Sequence, residues 1–160
     1  MQVLVLYHSK SGNTEQLARA VAQGVEAVAG VTALLKQTDA VTEADFLGSE
    51  AVIAGSPVYF GVMAAELKKV FDDFITTRKK MEGKVGAAFA TSGDLSGGKE
   101  TTMMSIIQVL LIYGMVVVGD PMSATGHYGT SCVGAPDEVA LENGAKLGKR
   151  VAELAKQLHG

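Results

Sequence analysis

Five short apolar runs alternate with longer amphipathic segments along the chain. The runs are predicted to form β-strands, at Gln2–Tyr7, Val31–Leu35, Glu50–Ala54, Val85–Ala90 and Met115–Gly119. They are continuously apolar rather than alternating, which is typical of parallel strands that are covered on both faces. The pattern therefore predicts an α/β fold in which a five-stranded parallel sheet lies between two layers of helices.

The segments between the runs carry apolar residues at helical spacing. They predict helices over Asn13–Ala29, Glu100–Tyr113 and Pro136–Leu158, and one more on the stripe Leu67, Val70, Phe71, Phe74 and Ile75. In the last helix the residues expected to face inward are Leu147, Val151, Leu154 and Leu158. Only Ser123–Ala135 lacks periodicity, and a loop of this length is usually functional. No linker or repeat divides the chain, so we expect a single domain over residues 1–160.

The helix predicted at Glu100–Tyr113 is apolar nearly all round. Such a helix is either deeply buried or covered by a partner subunit. More apolar surface is present than one stripe facing the sheet can hide, and large exposed apolar patches are rare on monomers. We therefore expect a homo-oligomer.

Composition excludes several classes of protein. The 160 residues include 14 Lys and Arg against 17 Asp and Glu, interspersed, which gives a net charge of −3 and no basic stripe for nucleic acid. The single cysteine, Cys132, excludes a disulfide scaffold, and three histidines without ligand spacing argue against a metal site. The longest apolar stretch, Ile106–Val118, is too short to span a membrane, and the N-terminus does not resemble a signal peptide. We expect a cytoplasmic protein.

The loop after the first predicted strand is rich in hydrogen-bonding groups. It reads Ser9, Lys10, Ser11, Gly12, Asn13 and Thr14, and opens directly into a helix. Hydroxyl groups and free backbone N–H groups at a positive helix end suit a phosphate dianion. The alternative is an ordinary helix cap, which needs only one such residue.

Two other phosphate motifs fit less well. A dinucleotide-binding loop requires three glycines after the first strand, and only Gly12 is present. The segment Gly93–Lys99 matches G-x-x-x-x-G-K, but Glu100 follows where a nucleotide-hydrolysing loop needs Ser or Thr for magnesium.

Two further loops leave the carboxyl ends of strands. Gly55–Met63 contains the adjacent aromatic residues Tyr59 and Phe60. These side chains are expected to stack on a flat ligand; the alternative is that one of them covers the sheet edge. Thr91–Gly98 contains three glycines, which allow a close backbone approach. Ligands of open parallel sheets bind at this edge. A phosphate cradle, an aromatic wall and a glycine-rich wall together indicate a planar phosphorylated cofactor.

These loops carry a family resemblance that extends over essentially the whole chain. Ser9–Thr14 resembles the phosphate loop of the flavodoxin family, which implies a three-layer α/β/α sandwich with sheet order 2-1-3-4-5 and bound FMN. Gly55–Met63 resembles the G-T-P-T-R-F-G-N-M loop of FMN-dependent NAD(P)H:quinone oxidoreductases once called tryptophan-repressor-binding proteins. Phe89–Gly98 and Tyr128–Ser131 are similar to that group as well.

The resemblance implies a set of FMN-binding residues. The phosphate would be held by Ser9, Lys10, Ser11, Gly12, Asn13 and Thr14; one side of the flavin by Pro57, Val58, Tyr59, Phe60 and Gly61; and the other side by Thr91, Ser92, Gly93, Asp94 and Gly97. Two positions depart from the quinone reductases, because an arginine is replaced by Tyr59 and a flavin-contacting histidine falls at Ile112.

Three functions are compatible with this site. The first is reduction of a quinone or similar small acceptor by NADH or NADPH, for which no side-chain acid or base stands out because the flavin supplies the redox chemistry. The second is electron transfer between protein partners, and the third is a flavin-binding regulatory module without turnover. Arg78, Lys79 and Lys80 are either a solvated charge run or a binding site for an NADPH phosphate.

Overall fold

A computed structural model describes all 160 residues and contains one parallel sheet between two helical layers. The strands are β1 (Gln2–Tyr7), β2 (Thr32–Gln37), β3 (Ala51–Pro57), β4 (Val85–Ser92), β5 (Val116–Val117) and β6 (Thr130–Val133). The helices are α1 (Asn13–Glu26), α2 (Glu43–Leu47), α3 (Ala65–Asp73), α4 (Lys99–Ile112) and α5 (Glu138–His159), and a 3₁₀ helix (Ile75–Lys80) follows α3. None of these helices is both long enough and apolar enough to cross a membrane.

The strand order is β2-β1-β3-β4-β5, which confirms the predicted parallel sheet of order 2-1-3-4-5. The fifth position is shared by two short strands, since β5 pairs with Val85 and Gly86 of β4, and β6 pairs with Phe89–Ser92 of the same strand. The fifth strand predicted at Met115–Gly119 is therefore only two residues long, and residues 118–129 form an insertion before its continuation.

Both faces of the sheet are buried, which explains the continuously apolar strands. Along β1, Val3 and Val5 pack into the core formed with α1 and α5. The alternate residues Leu4 and Leu6 pack into the core formed with α3 and α4. Successive side chains of a strand point to opposite faces, so each strand supplies both cores.

Several predicted boundaries were wrong. Strand β3 continues through Gly55 to Pro57, because these residues pair in register with Phe89–Thr91 of β4. Residue 55 is glycine at a position where the Phe89 ring fills the space that a Cβ would take. Helix α1 ends at Glu26, and α5 begins at Glu138, where Asp137 caps it by accepting a hydrogen bond from Ala140 N. Ile75 and Leu158, expected to face inward, are exposed.

Two features were missed. The short helix α2 begins with a reciprocal cap between Thr42 and Asp45, and it places Phe46 in a buried aromatic cluster. The other members of that cluster are Phe71, Phe74 and Tyr113.

The aperiodic segment Ser123–Ala135 contains β6, and the insertion that leads into it is fastened to α5. Asn143 donates to the Thr125 hydroxyl, Lys146 to the Ser123 carbonyl and Arg150 to the Asp120 carbonyl. Side chains of α5, the next helix in the chain, therefore order this loop, which has no periodicity of its own.

Candidate functional site

The three loops singled out in the sequence lie side by side at the carboxyl edge of the sheet. They follow β1, β3 and β4, which are adjacent strands. The Thr14 and Thr91 hydroxyl oxygens are 2.8 Å apart, and Val58 N donates to the Thr91 carbonyl at 2.8 Å. A Cβ on Gly98 would lie 3.1 Å from the Cα of Gly61. The third loop is thus in direct contact with both the first and the second.

The loop between β1 and α1 offers a set of unpaired backbone donors. Gly12 adopts a left-handed φ of 92° as the N-cap of α1, and its N–H donates to Ser9 Oγ at 3.1 Å. The N–H groups of Lys10, Ser11, Asn13 and Thr14 make no hydrogen bond within the protein. No side chain caps α1, so the ordinary helix-cap alternative does not hold. Four free N–H groups at a positive helix end are suited to a phosphate dianion.

The loop after β3 is a tight hairpin that displays an aromatic side chain. Tyr59 and Val62 exchange two backbone hydrogen bonds of 3.2 Å around Phe60 (φ 51°) and Gly61 (φ 81°). Two successive positive φ angles define a type I′ turn, which is unfavourable for phenylalanine. Phe60 is fully exposed, whereas Tyr59 packs edge-on against the His8 ring. Neither aromatic side chain is buried against the sheet edge.

The loop after β4 presents its backbone to the same space. It begins inside the strand, because Thr91 and Ser92 belong to β4 rather than to the loop. The Asp94 carbonyl accepts hydrogen bonds from Ser92 Oγ at 2.8 Å and from Gly97 N at 3.1 Å, which folds the loop back on itself. The N–H groups of Gly93, Leu95 and Ser96 are left without partners. Free donors at this wall suit the polar edge of a planar ring.

Not every predicted site residue points toward a ligand. The Thr14 and Thr91 hydroxyl groups are buried and hydrogen-bonded to each other, so they join the two loops. Gly98, the third glycine of the Thr91–Gly98 loop, makes the expected close backbone approach, here to Gly61. No sequence pattern indicated His8, whose ring packs against Tyr59.

The basic run Arg78–Lys80 lies at the opposite edge of the sheet. It belongs to the 3₁₀ helix that precedes β4, and Arg78 Nε donates to the carbonyl of Ile112 at the end of α4. Strand β4 has eight residues, so about 23 Å separates the first from the last. Within one chain this run therefore lies away from the three loops, whereas Ile112 lines the apolar groove that Tyr59 and Phe60 of the hairpin also line.

Cys132 is not an activated thiol. Burial, followed by the nearby Asp137 carboxylate, raises the pKa of the Cys132 thiol to about 11. Since the thiolate is the nucleophilic form, the side chain is unreactive near neutral pH. His127 is exposed in the insertion.

The residues present fit a flavin mononucleotide. The Gly12 Cα faces open space beside the free N–H groups, where a Cβ would meet nothing within 4 Å. The exposed aromatic hairpin and the free donors of the loop after β4 belong to two loops that approach each other at Gly61 and Gly98. One phosphate-binding position and two flat walls match a mononucleotide with a planar ring.

Comparison with known proteins agrees with this geometry. The family of NADPH-dependent FMN reductases matches residues 32–130. An NAD(P)H dehydrogenase (quinone) of Archaeoglobus fulgidus is 33% identical, with 98% of each chain covered. A flavodoxin of Aquifex aeolicus is 35% identical over 95% of this chain and 85% of its own length. The structure of a WrbA-like flavodoxin from Agrobacterium tumefaciens superposes with a TM-score of 0.83 at 26% identity, covering 98% of both chains.

Proposed function

Because the chain belongs to the NADPH-dependent FMN reductase family, we propose that it is an FMN-dependent oxidoreductase that passes electrons from NADH or NADPH to a quinone or a similar small acceptor. The observation that carries the proposal is the set of unpaired N–H groups on two adjoining loops beside an exposed aromatic hairpin. The flavodoxin-like relationship expected from the sequence is confirmed by the sheet order and the superposition.

Each loop has a separate task in this proposal. The free N–H groups of Ser9–Thr14 bind the phosphate, and the positive end of α1 strengthens them. The hairpin around Tyr59 and Phe60 shields one side of the flavin, and the backbone of Gly93–Gly97 binds its edge. Bound FMN supplies the two-electron chemistry that connects the nicotinamide to the acceptor. The chain supplies orientation and an open approach for both substrates, and needs no side-chain acid.

Electron transfer between proteins is the second candidate. It is supported by relatives of similar length that are named flavodoxins, including one at 35% identity. The two functions differ in what reduces the flavin. A reductase accepts electrons directly from a nicotinamide, whereas a carrier requires a protein donor.

Steady-state turnover separates these candidates. FMN-loaded protein is mixed with NADH or NADPH and a benzoquinone, and nicotinamide oxidation is followed by absorbance. The proposal predicts saturable oxidation that depends on the quinone, with an unchanged rate in the Lys79→Ala control at the far edge of the sheet. Bound FMN without nicotinamide oxidation would contradict the reductase function and leave the carrier or the regulatory module.

The exposed face of α4 supports a homo-oligomer. Met104, Leu111 and Ile112 are exposed on its outer side. An apolar groove of about 820 Å³ runs between α3, α4 and the hairpin. The protruding Phe60 stands beside this groove, so one face carries both a knob and a hole, as a two-fold interface requires. Light scattering at micromolar concentration is expected to give a multiple of 16.6 kDa, and a mass near 16.6 kDa would contradict the proposal.

The location in the cytoplasm belongs to the same proposal. It is supported by a nicotinamide as electron donor and by the single unpaired cysteine.

A further inference from the structure

The loop after β4 is held in shape through two successive carbonyl groups. The Asp94 carbonyl accepts hydrogen bonds from Ser92 Oγ at 2.8 Å and from Gly97 N at 3.1 Å. The Leu95 carbonyl accepts one from Lys99 Nζ at 3.1 Å. A Cβ on Gly97 would lie 2.8 Å from the Asp94 oxygen, so this fold of the loop requires glycine there. Both carbonyl groups are therefore fixed in direction.

A fixed carbonyl also fixes the N–H group of the same peptide. The chain has no cis peptide bond, so the C=O and the N–H of one peptide point in opposite directions. The Asp94 carbonyl shares its peptide with the Leu95 N–H, and the Leu95 carbonyl shares its peptide with the Ser96 N–H. Neither N–H has a partner within the protein. The two groups consequently point away from the atoms that hold the carbonyls, as a pair of oriented donors.

Lys99 brings to this loop a charge that no carboxylate neutralises. It is the first residue of α4 and is partly buried. None of the ion pairs of the protein includes Lys99. The neighbouring acidic residues, Asp94 and Glu100, are exposed and form no ion pair either. The loop thus contains one unpaired ammonium group, tied to its backbone.

The same contact explains the match of Gly93–Lys99 to G-x-x-x-x-G-K. In a nucleotide-hydrolysing loop of that pattern, the lysine reaches the phosphates of the nucleotide. Here the ammonium group of Lys99 binds a carbonyl of its own loop. The lysine therefore acts on the shape and the charge of the loop.

We propose that Lys99 is a positioning residue that favours the reduced form of bound FMN: it holds the Leu95 carbonyl so that the Ser96 N–H is aimed at the polar edge of the flavin, and it places a positive charge in the same loop. This inference rests on the proposed FMN site. Near neutral pH the ring of reduced FMN carries a negative charge that the oxidised ring lacks, and nearby charges and hydrogen bonds tune that difference. Hydrogen-bond donors and cations both interact more strongly with the charged form.

The test compares the affinities of one variant for oxidised and reduced FMN. Quenching of flavin fluorescence gives the Kd of oxidised FMN, and equilibration with a dye of known potential gives the two-electron reduction potential of bound FMN. In Lys99→Met the Kd of reduced FMN is expected to rise about five- to tenfold more than the Kd of oxidised FMN, because hydrogen bonds to charged groups are the stronger ones. The potential of bound FMN then becomes more negative by about 20–30 mV, since a tenfold change corresponds to about 30 mV for a two-electron couple.

Two further variants serve as controls. Lys99→Arg keeps the charge and the donor, and is expected to retain the wild-type potential. Lys156→Met is the matched substitution, because Lys156 Nζ also donates to a backbone carbonyl, that of Ala29 at 2.8 Å, near the end of α5. This carbonyl precedes β2, at the opposite edge of the sheet from the three loops, so both Kd values are expected to stay unchanged.

The outcomes separate this inference from the proposed function. A purely structural role would raise the Kd of oxidised and reduced FMN equally, and an unchanged potential in Lys99→Met would overturn the inference while leaving the FMN site intact. Equal potentials in Lys99→Arg and Lys99→Met would overturn it as well, because the retained charge would then have no effect. Absence of FMN binding by the wild-type protein would overturn both proposals.

Discussion

The hydroxyl oxygens of Thr14 and Thr91 lie 2.8 Å apart, although 77 positions separate the two residues in sequence. Both side chains are buried. The hydrogen bond fixes the first turn of α1 against the end of β4, and so joins the end of the first candidate cofactor loop to the start of the third. A contact that stabilises the fold therefore also sets the distance between the phosphate loop and the backbone wall.

A double-mutant cycle tests this contact. Thr14→Ala and Thr91→Ala are each expected to lower the free energy of unfolding by about 1–3 kcal/mol, because each leaves a buried hydroxyl without its partner. The double variant is expected to lose about 1 kcal/mol less than the two single losses combined. Urea unfolding of the flavin-free protein measures all three values. Strictly additive losses would show that the hydroxyl groups do not stabilise each other.

Gly12→Ala tests the phosphate cradle. A non-glycine residue at φ 92° costs about 1–3 kcal/mol of stability. The added Cβ would also stand beside the free N–H groups, so FMN affinity is expected to fall by at least tenfold. Gly83→Ala is the matched control, because Gly83 has a φ of 82° and open space around it but precedes β4 at the opposite edge. Equal FMN affinity in the two variants would contradict the assignment.

Phe60 destabilises the hairpin, because phenylalanine is unfavourable at a positive φ, and it exposes an aromatic surface. Asparagine tolerates the left-handed conformation required by a type I′ turn, so Phe60→Asn is expected to stabilise the flavin-free protein by about 1 kcal/mol. The same variant is expected to bind FMN more weakly, since one wall is removed. Thermal unfolding and a flavin titration measure the two effects. Met122→Asn, at another exposed apolar position, is expected to change neither. Unaltered FMN affinity in Phe60→Asn would exclude the hairpin from the site.

Ionisation of Tyr113 is expected to lower the free energy of unfolding at alkaline pH. Burial raises the pKa of Tyr113 from 10 to about 12, and its hydroxyl donates to the Phe71 carbonyl. The pKa of Tyr113 is higher in the folded protein than in the unfolded chain. The contribution of Tyr113 to the free energy of unfolding is therefore complete below pH 10 and declines as the pH rises toward 12. The decline amounts to about 3 kcal/mol, since each pKa unit corresponds to about 1.4 kcal/mol.

The variant Tyr113→Phe isolates that contribution. It is expected to be less stable than the wild-type protein at pH 8 by about 1 kcal/mol, through loss of the hydrogen bond. The difference is expected to shrink above pH 10 and then reverse. Parallel stability curves from pH 8 to 12, measured by urea unfolding, would contradict the assignment of the alkaline loss to Tyr113.

The cofactor released on denaturation is expected to be FMN rather than FAD. The candidate site ends at one phosphate-binding loop, and no second loop of that kind is present to hold an adenylate. Chromatography of the flavin extracted from purified protein identifies the cofactor. Recovery of FAD would contradict the proposed site.

Long periodic elements were predictable from sequence, and features that depend on distant contacts were not. Val3–Tyr7 and the α3 stripe of Leu67, Val70 and Phe71 are buried as predicted, because burial on one or both faces leaves a direct trace in composition. Helix α2 has five residues, and β6 has four, which is too short for a recognisable period. Their positions depend on tertiary contacts, such as the packing of Phe46 in the aromatic cluster.

The candidate site was predictable to a similar extent. The three loops could be identified because glycines, hydroxyl residues and paired aromatic residues are concentrated in them. The hydrogen bond between Thr14 and Thr91 could not be predicted, because it depends on the register of β4 with the rest of the sheet. The position of His8 could not be predicted either, because its neighbours Thr38, Tyr59 and Glu66 come from three other segments.

Binding of FMN by three loops at the carboxyl edge of the sheet is the central claim: two of the loops bind it through backbone N–H groups, and the third shields it with an aromatic hairpin. Amide hydrogen exchange, with and without saturating FMN, tests it directly. FMN is expected to slow exchange in residues 10–14, 60–61 and 93–96, while residues 75–84 at the opposite edge exchange at unchanged rates. Protection that omits residues 10–14, or that is centred on the opposite edge, would contradict the claim.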